Sequence, residues 1–338
     1  MPRPGQYHTE TVSSLRIGPR PFLLLCRFTL ATVVVNVVTG AAVRLSDSGL
    51  GCPDWPTCSQ HHLTPTLRLH PLVEFGNRLV VFVLVVACIA TAVAACLRRP
   101  ARRDLRWLSG GLVLGVIGEA VLGAFVVYTK LNAYVVMVHF MVGMALLAVA
   151  VILTLRADHR PGRGTIAVTG GALWLTRALV TLTVVVLAAG AATTGTGPHA
   201  GGRGAKRIPL GLRDMTRIHA EIVIAAALLL LVLLWVLWRS DATAGVQNAG
   251  RILLAVMVGQ GLIGYAQFFS HLPPVLVGIH VLGASIVWGT VLWFHHGLSD
   301  HLPESIGDPG PAAGPEGRRS EGPAVTRPSA GEPLREPV

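Results

Sequence analysis

Long apolar runs recur along this chain, separated by short polar segments rich in arginine, glycine and proline. About 20 consecutive apolar residues cross the hydrocarbon core of a bilayer as a helix. Eight runs reach roughly that length, at 21–43, 72–96, 108–128, 133–155, 172–194, 216–238, 250–270 and 275–296. The pattern predicts an all-α polytopic membrane protein. Composition agrees: 13% of residues are charged, where soluble domains carry about 25%, and mean hydropathy is +0.59.

The net charge of +11 would suggest nucleic acid in a soluble chain, but here the arginines punctuate the spans. Arg98, Arg99, Arg102, Arg103 and Arg106 follow span 2, Arg156, Arg160 and Arg163 follow span 4, and Arg3, Arg16 and Arg20 precede span 1. The positive-inside rule then places both termini in the cytoplasm of a plasma-membrane protein. The loop 195–215, with Arg203, Lys206, Arg207 and Arg213, runs against that rule on the outer side; lipid headgroups or the acidic groups of a bound cofactor are its candidate partners. Span 1 is too long for a cleavable signal and lacks a small-residue cleavage site. Residues 298–338, rich in Pro, Gly, Glu and Arg, are expected to form a disordered cytoplasmic tail.

Five cysteines fall into two kinds. Cys26, Cys88 and Cys96 lie in or at the ends of spans, where free thiols behave as small apolar residues. Cys52 and Cys58 lie in "SGLGCPDWPTC", a Gly/Pro-rich segment on the predicted outer, oxidising side, where a disulfide persists. A structural staple and a redox-active or site-positioning pair are both open readings of these two.

The chain also says the same thing twice. "GEAVLGAFVVYTKLNAYVVMVH" (118–139) aligns without gaps on "GQGLIGYAQFFSHLPPVLVGIH" (259–280), so that His139 falls on His280 at an offset of 141. "EFGNRLVVFVL" (74–84) aligns on "MTRIHAEIVIA" (215–225) at an offset of 142, placing Asn77 opposite His219. "GAA" at 40–42 answers "GAA" at 190–192, an offset of 150. An offset of four spans preserves direction across the membrane, so the repeats are parallel and related by an axis along the bilayer normal. Two four-helix bundles follow, over 21–155 and 172–297, with a linker at 156–171 and an N-terminal segment at 1–20.

Most of the 13 histidines lie in tails, loops or span ends, where solvated surface explains them; His70 and His199 border the predicted site. His139, His219 and His280 differ, each lying one to two turns inside a span. A lone histidine at that depth is ordinarily bonded to a neighbouring helix. Matched depth in equivalent helices of a repeat points further, to axial ligation of one haem iron by His219 and His280. Zinc, the rival, usually takes three or four protein ligands. Gly278, Gly283, Ala284 and Ala220 leave a porphyrin room. In the first half the pair is His139 and Asn77, and asparagine is a poor iron ligand. That half alone carries Glu74, one turn before Asn77 on the same face, with Arg78 beside it. The division is an electron-transfer haem closed by two histidines, and a looser site with a carboxylate. The plainer reading of Glu74 and Arg78 is an i,i+4 ion pair at a helix start, worth a few tenths of a kcal/mol.

These residues resemble the haem A synthase family. The resemblance rests on "GLGCPDWPTC", "VEFGNR", "MVHF", "GTGPHAG", "IHA" and "GIHVLGA", in that order, and covers about 22–296. It implies a membrane enzyme that oxidises the C8 methyl of haem O to a formyl group, through an alcohol and a geminal diol, making haem A for cytochrome c oxidase. It further implies a haem b cofactor on His219 and His280, and a substrate haem in the first half at His139, Asn77 and Arg78. Glu74 would be catalytic, and Cys52 and Cys58 would be joined as a disulfide. A haem O synthase and oxidase assembly proteins are the implied partners, beside the lipid bilayer and an unidentified electron acceptor. Many relatives carry histidine where this chain has Asn77, and an acidic residue after "GPHAG" that this chain lacks. Two other classes compete: a quinol-linked cytochrome b, which requires a second complete histidine pair, and a repeat-built transporter, which requires no haem.

Overall fold

The computed structural model describes residues 16–52, 58, 65, 67–158, 170–202, 205–240 and 242–299. Among them run eight α-helices: α1 (Pro19–Leu45), α2 (Leu69–Leu97), α3 (Arg103–Tyr128), α4 (Ala133–Asp158), α5 (Gly170–Thr196), α6 (Leu212–Arg239), α7 (Ala244–Phe269) and α8 (Pro274–Ser299). Each apolar run became one helix, extended by up to six residues into its polar flank. The shortest have 26 residues, about 39 Å at 1.5 Å per residue, more than the roughly 30 Å hydrocarbon core. Large apolar side chains such as Leu24, Leu114, Leu231 and Leu262 point outward. A hydrophobic exterior on helices that satisfy their own backbone groups is what lipid requires. The protein is a multi-pass membrane protein. The expected tail beyond residue 299, the N-terminal segment before residue 16, most of the 156–171 linker and Arg203 lie outside the described residues.

The helices pack as two rings. In the first, α1 meets α2, α2 meets α3, α3 meets α4, and α4 closes on α1; in the second, α5 to α8 do the same in the same order. The rings meet through α1 with α8, α4 with α8, and α4 with α5. Exchanging α1 for α5 and α4 for α8 maps this seam onto itself, as a two-fold axis along the membrane normal demands. At its centre Trp288 donates its indole N–H to the Met144 carbonyl at 3.0 Å.

The backbone repeats more faithfully than the side chains. Between α3 and α4, Lys130 and Leu131 take left-handed conformations at φ 52° and 60°; between α7 and α8, His271 and Leu272 do so at 63° and 60°. The turn bonds match one for one at the offset of 141. Thr129, Lys130 and Leu131 donate to the carbonyls of Phe125, Val127 and Val126, and Ser270, His271 and Leu272 to those of Ala266, Phe268 and Gln267. These turns set where α4 and α8 begin, and hence the equal depth of His139 and His280.

Candidate functional site

His139 and His280 each lie six residues into their helices, and His219 lies seven into α6, about 9–11 Å from the helix start. All three sit near the end of the molecule that carries Cys52. Across the second bundle the His219 and His280 rings face each other with centroids 6.5 Å apart and planes at 77°. Two imidazoles on opposite sides of one metal, each nitrogen about 2 Å away as in metal–histidine bonds generally, bring their ring centres to roughly 6 Å. Both Nδ1 atoms are buried outside full hydrogen-bond geometry, that of His280 with no partner and the His219 ring with only the Val186 backbone beside it, yet each residue keeps accessible surface. The open edge of each ring is therefore the side away from Nδ1, which carries Nε2. Glycines back the rings: a Cβ on Gly190 would lie 3.1 Å from His219 Cε1, and one on Gly264 would lie 3.2 Å from His280 Cε1. Gln260, on α7, donates its amide to the His280 carbonyl at 2.8 Å. Among the described residues no three His, Cys, Asp or Glu side chains gather closely enough to hold a bare metal ion. A two-histidine macrocycle site fits this donor set, and a zinc site does not.

The first bundle repeats the scaffold with different chemistry. Asn77 stands where His219 stands, and its Oδ1 accepts a 2.7 Å hydrogen bond from the Thr39 hydroxyl on α1. Thr39 has Ala189 as its counterpart at the offset of 150, so the second half has no such hydroxyl. His139 does not meet Asn77 through a hydrogen bond; it turns toward Glu119 on α3, whose Oε2 lies 3.1 Å from His139 Nδ1. Glu119 is buried, and its Oε1 has no hydrogen-bond partner. Neither Thr39 nor Glu119 was singled out by the sequence patterns above. The aligned repeat did hold a signal for Glu119: a carboxyl in mid-span, opposite Gln260.

Glu74 occupies the second turn of α2 and is buried, at 5% exposure. Its Oε1 accepts from Arg78 at 2.5 Å, and its Oε2 accepts from the backbone N–H of Cys52 at 2.8 Å. The ion pair is thus real but is only half of the arrangement. The Cys52–Cys58 disulfide is formed, with α-carbons 4.4 Å apart, and the chain just before it presses onto α2. A Cβ on Gly51 would come within 2.6 Å of the His70 backbone, so only glycine fits there. His70 Nδ1 lies 3.0 Å from the Ser48 hydroxyl, which pins the same stretch. The cysteine loop therefore supplies the N–H that orients the Glu74 carboxylate. Residues 53–57, between the cysteines, lie outside the described residues. His199 also proves to be engaged, with Nε2 at 2.9 Å from the Leu272 carbonyl.

The profile of the COX15-CtaA family, described as cytochrome oxidase assembly protein, matches residues 23–200. That is more than half of the chain, from α1 past the end of α5. The chain belongs to this family. Individual relatives agree. The chain is 32% identical over 158 residues to the haem A synthase of Geobacillus kaustophilus strain HTA426, covering 45% of this chain and 49% of the relative. It is 35% identical over 131 residues to that of Geobacillus thermodenitrificans, covering 37% and 40%. It is 30% identical over 160 residues to that of Shewanella oneidensis strain MR-1, covering 40% and 46%. The chain thus spans about half the length, or less, of the curated relatives it matches. The COX15-CtaA match includes Glu74, Asn77, Arg78, Cys52, Cys58 and His139. His219 and His280 lie beyond it, so their case rests on the internal repeat and on the geometry above.

Proposed function

We propose that the protein is a haem A synthase, an oxidoreductase that converts the C8 methyl group of haem O to a formyl group. The observation that carries this reading is the asymmetry between two equivalent bundles: one closed by His219 and His280, the other opened by Asn77 and supplied with a clamped carboxylate. A resident haem, b-type by family analogy, held by His219 and His280 would supply one-electron transfer between the substrate and an external acceptor. The first bundle would bind haem O through His139, with Asn77 opposite and Arg78 nearby. A quinol-linked cytochrome b has no use for the asymmetry.

Oxidising a methyl to a formyl group with water as the oxygen source releases four electrons and four protons, so protons must leave the reacting carbon repeatedly. Glu74 is the base for that work. Its two oxygens are oriented by separate donors, the Arg78 guanidinium and the Cys52 N–H, which fixes the carboxylate before substrate arrives. The bilayer around the helices keeps bulk water from the site. The arginine clusters support an orientation with the Cys52 end outside and both termini in the cytoplasm, in which protons released at Glu74 are close to the outer surface. A haem O synthase is the expected donor of substrate, and the oxidase assembly route the expected destination of product.

The test is production of haem A by Glu74→Gln at equal protein level. Removing a general base costs about 100-fold or more, so haem O should accumulate while haem retained by His219 and His280 is unchanged. Wild-type haem A yield from this variant would refute the role of Glu74. Extraction of haem B alone from the wild-type protein would refute the synthase reading.

A further inference from the structure

Resting on the reading that the first bundle binds a haem through His139, we propose that the iron's opposite face in that bundle is an open binding site for a small neutral ligand such as water, dioxygen or carbon monoxide, roofed by Asn77. Three observations converge there. Asparagine is two ring atoms shorter than the histidine it replaces, and the space is not refilled. In the second bundle a Cβ on Gly190 would touch the His219 ring, whereas one on the equivalent Gly40 meets nothing within 4 Å.

Asn77 is also held in one orientation. Thr39 donates to its Oδ1 at 2.7 Å, closer than its alternative acceptor, the Asn36 carbonyl at 3.2 Å, which leaves the amide Nδ2 with no protein acceptor among the described residues and two N–H groups to offer. Finally, the α1 face beside Asn77 is polar at positions whose α5 counterparts are apolar. Asn36, Thr39 and Gly40 share one face of α1, and the Asn36 Oδ1 is buried with no partner. Their counterparts at the offset of 150 are Val186, Ala189 and Gly190. Two half-buried amides and a hydroxyl around a gap suit a polar guest. A distal pocket's polarity and hydrogen-bond donors decide whether a haem binds small ligands or only transfers electrons. The second bundle, closed by two imidazoles, is the electron-transfer case.

Carbon monoxide is the probe. The full-length protein, purified in detergent and loaded with haem O, is reduced and titrated while its visible and infrared spectra are recorded. The expected result is one carbon monoxide bound for every two haems. Asn77→His should abolish that binding, because the second imidazole closes the site. Asn77→Leu should preserve it but raise the C–O stretching frequency, because the amide donor is gone. Two haems with no carbon monoxide bound would overturn the open site while leaving the synthase reading intact. A stretching frequency unchanged in Asn77→Leu would overturn the role of the amide. Absence of any haem from the first bundle would overturn the synthase reading and this proposal together.

Discussion

At the scale of single residues, the first bundle is defined by two contacts that join polar groups across helices, Thr39 with Asn77 and Glu119 with His139. A metal-binding histidine commonly has its second ring nitrogen fixed by a carboxylate or carbonyl, and loss of that partner costs about 10–100-fold in affinity. Glu119 Oε2 stands 3.1 Å from His139 Nδ1 without the alignment of a full hydrogen bond, and a small ring rotation on ligation would complete it. Glu119→Ala should therefore weaken haem retention in the first bundle by about 10–100-fold, with Glu119→Gln intermediate and the second bundle unaffected. Haem titration followed by absorbance separates these outcomes, and equal affinity in all three proteins would remove Glu119 from the site. Glu74, Asn77 and the three histidines were legible in the sequence because each is costly at membrane depth or is matched across the repeat. Thr39 was not legible, since threonine is an ordinary residue in a membrane helix and its role exists only through its contact with α2.

At the scale of elements, the eight spans were readable because lipid imposes a minimum apolar length on every helix. Their ends were not, because the helices run on into polar flanks that hydropathy discounts: Arg103–Trp107 opens α3 and Ala244–Ala249 opens α7. The turns before α4 and α8 were equally hidden. Each uses two consecutive left-handed residues that are not glycine, a conformation costing an L-residue roughly 1–2 kcal/mol. Lys130 and His271 are exposed members of those pairs, and their side chains can be removed without opening a cavity. Lys130→Gly and His271→Gly should each stabilise the protein by about 0.5–1 kcal/mol, the gain in the folded turn being partly offset by the freer unfolded chain. Thermal unfolding in detergent measures this directly. A lower midpoint for either variant would show that the side chain matters more than the backbone it distorts. The disulfide belongs to this scale too: the cysteine pair was apparent as a possible staple, but not that the N–H of Cys52 orients Glu74.

At the scale of the whole molecule, the two bundles are locked at the Cys52 end by loops that cross the seam. Arg44, near the end of α1, donates from Nε to the His199 carbonyl at 2.8 Å and from Nη2 to the Thr194 carbonyl at 2.9 Å. His199 in turn reaches Leu272 in the turn before α8. Gly49 donates to Gly201 at 3.0 Å, and Ala133 to Lys206 at 3.0 Å. The acceptor, Gly201, has a φ of +96°, where any side chain would be strained. The middle of the seam has Trp288 and Met144, and at the Cys52 end Arg44 adds two side-chain bonds to those backbone pairs. Each hydrogen bond from a charged donor is worth about 1.5–3 kcal/mol, and both acceptors lie on the second half of the chain. Arg44→Gln, which can make at most one of the two bonds well, should cost about 2–3 kcal/mol. Because the lost bonds join the halves, haem held in the two bundles as proposed should be released on heating at separate temperatures in this variant and at a shared one in the wild-type protein. Arg44→Lys retains the charge but not the fork that reaches two carbonyls, and so should fall between them. A single joint transition in Arg44→Gln, lowered or not, would mean that the helix seam at Trp288 couples the halves and that the Arg44 lock does not.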